Sequence, residues 1–401
     1  MSGAAWLQSD FTLVDDEGAA TASELAEAAQ SLATALPEHC GVALTDISAR
    51  SVLIAMLAAE TRGADLFIVR DQTAGTRAGF RIDGSTVVAS STDALPGTGL
   101  VWLQTSGSTG RPKWVAHRPK ILRHAIVGGR RPACWLLSYG AGSFAGLQVI
   151  LSAAVGGHRL VSASSVASVG DLASRAVAEA VTHVSGTPTF WRAFLMALGS
   201  NSLPLAAVTL GGEAADQALL DSLSARFPEA RLRHLYATTE LGTVFSVADG
   251  RAGFPVAWLE TGLPDRQLAI TVEGTLAVGT LGGELYDTGD RVAIDGDRVR
   301  FLGRRDLMAN VGGVKIWPEE VEAHLLELPF LHDALVSARP NPITGQVLIA
   351  DLVLADAGSQ VRCDPLIRAH LERLPRAARP ALIRYKTALP TGQTGKKLRV
   401  P

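Results

Sequence analysis

The sequence predicts an α/β fold: a large N-terminal domain with doubly wound sheets, residues 1–305, followed by a small α+β domain, residues 306–401. Three observations predict it. Short apolar and β-branched runs alternate with helix-length amphipathic segments from about residue 21 to residue 236, the pattern of βαβ units building a parallel sheet. The 401 residues exceed one ordinary domain, and 47% hydrophobic against 19% charged residues supply buried strands. Beyond Gln267 short strands and turns take over, and a new unit follows Phe301–Asp306, which puts the domain boundary at Arg305 or Asp306.

The elements follow in order. Thr21-Ala22-Ser23-Glu24 is a capping box, and Leu25, Ala28, Leu32 and Leu36 recur at helical spacing behind it. Val42–Leu44, a helix around Ser51 to Glu60 stopped by Gly63, and Leu66–Val69 form a βαβ unit. The central strand is Leu100–Leu103. Strands at Cys134–Ser138, Arg159–Val161, His183–Ser185, Ala206–Leu210 and Leu232–Tyr236 then alternate with helices after Ser143, from Asp171 to Val181, after Pro188, and from Ala215 to Phe227. The last unit reads as a helix from Pro318, strands at Ala334–Ser337 and Val347–Leu354, and a helix from Asp364 to Leu374.

A net charge of −2 argues against nucleic acid or an anionic membrane as the main partner. Lys and Arg are dispersed apart from small clusters such as Arg118 to Arg131. Cys40, Cys134 and Cys363 have no metal-ligand spacing and read as free buried thiols of a reducing compartment. Met1 to Asp10 lacks the basic start and apolar core of a signal peptide, and no apolar run approaches the ~20 residues that span a bilayer. A cytoplasmic protein is expected.

The stretch most rich in chemistry is Thr105-Ser106-Gly107-Ser108-Thr109-Gly110-Arg111-Pro112-Lys113. It follows a strand, its glycines permit positive φ and close backbone approach, and its hydroxyls and Lys113 are donors for an anion. A solvated Ser/Gly linker is the plain alternative. The strict pattern G-x-x-x-x-G-K-[ST] is absent, since Lys113 is followed by Trp114. Three strand ends carry unusual polar text, Gly186-Thr187-Pro188, Gly211-Gly212-Glu213 and Tyr236–Glu240, and in a parallel sheet they converge on one crevice.

Six motifs in order, TSGSTGRPK from 105, YATTE from 236, YDTGD from 286, FLGRRD from 301, GGVKIWPEEVE from 312 and TGKKLR from 394, resemble the ANL superfamily of adenylate-forming enzymes. The likeness covers about three quarters of the chain. It implies ATP and Mg²⁺ as cofactors, and CoA or a phosphopantetheine carrier as acceptor of the activated acid. Partners would be a small-molecule acid and an acyl carrier protein, in a monomer or homodimer.

The resemblance also implies roles. Thr105, Ser106, Gly107, Ser108, Thr109, Gly110 and Lys113 would hold the β- and γ-phosphates. Glu240, beside Thr239, would bind the metal, a hard carboxylate suiting Mg²⁺; a plain exposed turn carboxylate is the alternative. Gly212, Glu213 and Tyr236 would line the adenine, and Ala237 and Thr238 beside them would belong to the ATP site. Asp290 would accept the ribose hydroxyls with Arg304 beside it, against an Asx-turn reading of Thr288-Gly289-Asp290. Lys396 would stabilise the transition state of adenylation, with Lys397 and a disordered basic tail as the competing readings. Asp306 would be the hinge about which the C-terminal domain rotates, bringing Gly312 and Gly313 to a thiol channel.

The sequence departs from that pattern in places. Trp114 replaces a glycine after the loop lysine, and Ala237 a glycine after Tyr236. Ser143 stands where a pocket histidine is common. The acyl pocket is expected among Tyr139, Ser143, Phe144, Gly186, Thr187, Gly211, Thr238, Leu241, Gly242, Thr243 and Val244, any of which could equally be core or loop support. Loss of the histidine keeps open an amine or an oxyanion such as nitrite in place of the usual reactants, and a catalytically inactive nucleotide-binding regulator is a third reading.

Overall fold

The computed structural model describes residues 6–71, 75–90, 96–105, 113–124, 131–164, 167–392 and 395–399. Two parallel-cored sheets dominate residues 12–247. In the first, strands run in the order Gly242–Val247, Arg231–Thr238, Ala207–Gly211, His183–Gly186, Cys134–Leu137, Arg159–Val161, Thr12–Asp15 and Gly18–Thr21. Only its two edge pairs are antiparallel. The second sheet runs Thr86–Ala89, Phe80–Asp83, Gly41–Leu44, Asp65–Ile68, Val101–Thr105 and Lys113–His117.

The helices Ala22–Ala35, Ala49–Arg62 and Phe144–Gly156 share one core with both sheets, joining Leu13 and Leu160 of the first to Val42, Leu66 and Leu103 of the second. Burial on both sides explains why these strands read as short apolar runs without alternation. The first helix begins as expected, at Thr21 with its Glu24 capping box. The second begins at Ala49, two residues before Ser51, because Ser48 and Ser51 cap it reciprocally, and it ends at Gly63, φ +60°. Aromatic residues Phe190, Trp191 and Phe194 of the helix Pro188–Leu198 fill the other face of the first sheet.

Residues 254–304 form a five-stranded antiparallel sheet with the order Phe254–Pro255, Arg298–Arg304, Tyr286–Asp295, Thr275–Thr280 and Arg266–Ile270. The YDTGD segment opens the long strand Tyr286–Asp295. Sheet membership changes across the turn Arg305–Leu307: the next strand, Ala309–Val311, belongs to a separate sheet with Val314–Ile316, Leu331–Asn341, Gly345–Leu354 and Leu382–Tyr385. Helices Pro318–Leu325 and Gln360–Leu371 pack on that sheet. The second of these starts four residues before the expected Asp364 and carries Pro365 internally, since the buried stripe Cys363, Ile367, His370 and Leu371 continues behind it. The three cysteines are free and buried. Among the described residues no helix is long and apolar enough to cross a membrane.

Arg298 locks the antiparallel sheet from within. Its guanidinium is 2% exposed, pairs with Asp249 at 2.7 Å, and donates to the carbonyls of Ala252 (3.2 Å), Arg251 (3.0 Å) and Gly253 (2.7 Å). Removing it strands three acceptors and a carboxylate. Arg298→Ala is expected to lower unfolding free energy by about 3–5 kcal/mol in a urea titration.

Candidate active site

The crevice is built where parallel strands end side by side. Gly186 pairs in register with Leu210, and Gly211 with Leu235. A side chain at Gly211 would meet the Tyr139 hydroxyl at 3.8 Å, so Gly211 keeps that corner open. Tyr139 is buried, and burial raises its hydroxyl pKa, with a hydrogen bond to Ser185 acting the other way.

Into this corner comes the C-terminal turn. Thr187, the N-cap of the helix Pro188–Leu198, donates from Oγ1 to the Gly395 carbonyl at 2.6 Å. Gly395 has φ +70°, and Gly212 has φ +85°; a methyl on Gly212 would stand 3.0 Å from Lys396 Cε and a β-branched neighbour, Thr187, 3.5 Å away. Lys396 therefore lies along the opening between Gly212 and Thr187, with its residue exposed. The neighbouring Lys397 is used differently. Its ammonium pairs with Asp333 at 2.7 Å and donates to the Ala334 carbonyl at 2.6 Å, and Asp333 is 4% exposed. Two adjacent lysines thus have opposite fates.

Glu213 is held by protein donors on both of its oxygens. Its Oε2 accepts from Thr189 N (3.1 Å) and Thr189 Oγ1 (2.7 Å), and its Oε1 from the Lys397 backbone N–H at 3.0 Å. The Tyr236 ring packs against Phe245 and Phe301, centroids 5.2 and 5.0 Å away, and its hydroxyl donates to Asp290. Burial, followed by the charge of Asp290, raises the Tyr236 pKa, so the phenol stays a donor.

Asp290 and Arg304 face each other in register on paired strands, with Arg304 Nη1 3.4 Å from the carboxylate. Arg304 also donates to the Thr288 carbonyl at 3.1 Å and reaches Asp306 at 3.2 Å. The Asx turn belongs to Asp287, whose Oδ1 accepts from Gly289 N at 2.9 Å, leaving Asp290 to its two side-chain partners. The sequence placed Arg304 beside Asp290; Tyr236 and Asp306 as further members of the group were outside its reach.

Thr239 and Glu240 occupy the turn between the strands Arg231–Thr238 and Gly242–Val247, with Ala237 opposite Thr243 and Thr238 opposite Gly242. Thr238 Oγ1 accepts from Leu241 N at 3.1 Å, tightening the turn. Glu240 is exposed, and no other described residue donates to it. Its charge acts on His117, whose pKa is lowered by burial first and pushed back up by Glu240. His117 sits 5.6 Å from the ring of Phe144, with a buried Nε2 that has no hydrogen-bond partner. The sequence reading passed over His117; its place four residues after Lys113 on the same strand was the available signal. Ser143, expected to gate the pocket, is 3% exposed and spends its oxygen on the Gly146 N–H at 3.0 Å, capping the helix that Phe144 begins.

Thr105 and Lys113 stand opposite each other as the stems of the anion-cradle loop. Ser106, Gly107, Ser108, Thr109 and Gly110 lie outside the described residues. Gly312 and Gly313, both with positive φ, form the exposed turn between Val311 and Val314, with nothing within 4 Å of an added side chain. That turn is not part of the Lys396 crevice.

Comparisons with known proteins assign the chain to a family. Residues 91–293 match the AMP-binding enzyme family, and residues 320–396 match the AMP-binding enzyme C-terminal domain. The chain belongs to the AMP-binding enzymes, within the adenylate-forming ANL superfamily. It is 28% identical over 339 residues to the isonitrile lipopeptide synthase of Streptomyces coeruleorubidus, covering 73% of this chain and 23% of that protein. It is 34% identical over 119 residues to the human mitochondrial acyl-coenzyme A synthetase ACSM1, covering 28% of this chain and 21% of that one. The chain thus spans less than a quarter of the length of these curated relatives. In fold it is similar to the anthranilate CoA ligase AuaEII in complex with anthranoyl-AMP, TM-score 0.76 at 16% identity, with 99% and 95% of the two chains covered. It is also similar to the o-succinylbenzoate CoA synthetase of Bacillus subtilis in complex with the acyl-adenylate OSB-AMP, TM-score 0.69 at 20% identity, with 96% and 94% covered.

Gly212→Ala tests the docking of the lysine. The added methyl meets Lys396 Cε and occupies a positive φ. We expect a melting temperature within about 3 °C of the unaltered chain, because the position is at the surface of the fold. Nucleotide-dependent turnover should nonetheless fall about tenfold, as a misplacement near the reacting atoms costs at least this much.

Proposed function

We propose that this protein activates a carboxylic acid with ATP, forming an acyl- or aryl-adenylate and releasing pyrophosphate, and then passes the acyl group to a thiol, of CoA or of a carrier protein. The observation that carries the reading is the exposed Lys396 laid between Gly212 and Thr187 while Lys397 is consumed by Asp333. It leaves one cation of the pair to meet a reacting anion.

In the first step a carboxylate oxygen attacks the α-phosphorus and the bond to pyrophosphate breaks. Both reactants are anions, so the protein must position them and neutralise charge. Lys396 would bridge the carboxylate and the α-phosphate. The loop from Thr105 to Lys113 would hold the outer phosphates. Asp290 would accept from the ribose hydroxyls, with its carboxylate oriented by Tyr236 and Arg304. A Mg²⁺ ion fits Glu240 and Thr239, since this exposed carboxylate has no donor among the described residues and hard oxygen ligands suit the ion. Bound there, it would offset phosphate charge. Thiol transfer is supported by the acyl-coenzyme A synthetase among the relatives.

Pyrophosphate release from ATP, measured across a panel of aryl and acyl acids, amines and nitrite with and without CoA, tests the reading. An acid-dependent release is expected, and ATP binding without AMP or pyrophosphate from any acid would defeat it. The two lysines should separate cleanly. Lys396→Ala is expected to cut adenylate formation about 100-fold or more while leaving transfer from a supplied acyl-adenylate intact. Lys397→Ala, by leaving Asp333 buried and unpaired, should cost about 3 kcal/mol of stability in a denaturant titration.

A further inference from the structure

We propose that the Glu213 carboxylate is the catch that holds the Lys396 turn in its adenylating position, making Glu213 a positioning residue for the first half-reaction and not a member of the adenine pocket. The inference rests on the function proposed above for its kinetic consequence, and on geometry alone for the catch itself.

The carboxylate is held from both sides. Oε2 accepts from the backbone N–H and the hydroxyl of Thr189, at the start of the helix Pro188–Leu198, where the exposed N–H groups favour a negative charge. Oε1 accepts from the Lys397 N–H. Lys397 in turn is tied by its ammonium to Asp333 and the Ala334 carbonyl, at the start of the strand Leu331–Asn341. One residue is therefore a strap: its backbone is fastened to the N-terminal domain and its side chain to the C-terminal domain. With the strap closed, Thr187 holds the Gly395 carbonyl one residue before Lys396, and Glu213 holds the N–H one residue after it. Lys396 is bracketed and must project past Gly212. Arg399, paired with Glu322, feels the charge of Glu213 as well, so the same carboxylate attracts the end of the turn.

A catch of this kind can release. When the turn leaves, Oε1 loses one neutral N–H donor, which water can replace because Glu213 is only half-buried, and Oε2 keeps Thr189.

Glu213→Gln tests the catch on the full chain. The amide offers one acceptor where two are needed, so an NH₂ must face either Thr189 N–H or Lys397 N–H. Hydrogen–deuterium exchange of the peptide holding the Lys397 amide should speed up about tenfold, a shift of about 1.4 kcal/mol, while the peptide of the helix Pro188–Leu198 keeps its protection. With an acid found active in the panel above, kcat for ATP–pyrophosphate exchange should fall about tenfold with the KM for ATP within about twofold, and thiol transfer from the supplied acyl-adenylate should not change. A raised KM for ATP with unaltered Lys397 exchange would overturn the catch in favour of adenine contact. Should Glu213→Gln melt at much lower temperature, Thr189→Val, which removes one donor and leaves the carboxylate, must give a smaller change in the same direction; unaltered exchange there overturns the proposal. If no acid is adenylated by the unaltered chain, the function reading fails while the exchange comparison still decides the catch.

Discussion

The buried ion pair of Lys397 with Asp333 is the constraint on which the rest of the site depends. An unpaired ammonium or carboxylate in that position would carry a desolvation cost of several kcal/mol, so the pair, once formed, defines which way the backbone of the turn must face. Adjacent residues in an extended turn point to opposite sides. Burying Lys397 in the C-terminal domain therefore delivers Lys396 to the other side, against the strand ends of the N-terminal domain. Gly395, with φ +70°, supplies the reversal that lets its carbonyl meet Thr187 on the way.

The receiving surface follows from sheet geometry. Parallel strands that end together expose their last residues at one edge, and here those residues are glycine or capped threonine: Gly186 and Thr187, Gly211 and Gly212. A side chain at Gly212 would fill the space Lys396 uses. The neighbouring strand contributes Tyr236, whose ring is wedged by Phe245 and Phe301 so that its hydroxyl reaches Asp290 of a different sheet. A long aromatic side chain thereby couples the parallel sheet to the antiparallel one, and the Asp290 carboxylate is oriented from two directions, by a phenol and a guanidinium.

Much of this was legible in the sequence where the interactions are local or rest on repeated spacing. The Thr21–Glu24 capping box, the Gly63 stop and the Asp290–Arg304 pair across one hairpin are of that kind. Alternation of strands and helices could announce parallel sheets, though not which strand of residues 12–247 joins which sheet, because a strand's text is the same in either. Ser143 carried a helix-start signal beside the pocket reading, and in the structure it caps the helix that Phe144 begins. Glu213 and Lys397 are separated by 184 positions, and Tyr236 and Asp290 by 54, so nothing local marks either contact. Of the two neighbouring lysines, Lys397 is the one buried against Asp333, a contact distant in the chain.

The polar character of the interdomain contacts bears on how the two steps could share a site. The C-terminal unit meets the N-terminal domain through the Thr187–Gly395 and Glu213–Lys397 hydrogen bonds, His332 against the Arg192 carbonyl at 2.7 Å, and the Arg291–Glu320 pair at 2.7 Å, with Arg291 stacked 3.5 Å over Trp317. Each such bond contributes about 0.5–1.5 kcal/mol net, and each has water as a substitute partner on opening. The sum is a few kcal/mol, within what the differential binding of a charged nucleotide can supply or withdraw. A large apolar interface would instead fix one arrangement. The contacts beside Asp306 have the same character, since Arg304 divides its guanidinium between Asp290 and Asp306. Any new partner for Asp290 would therefore also alter the balance at Asp306, through a single arginine.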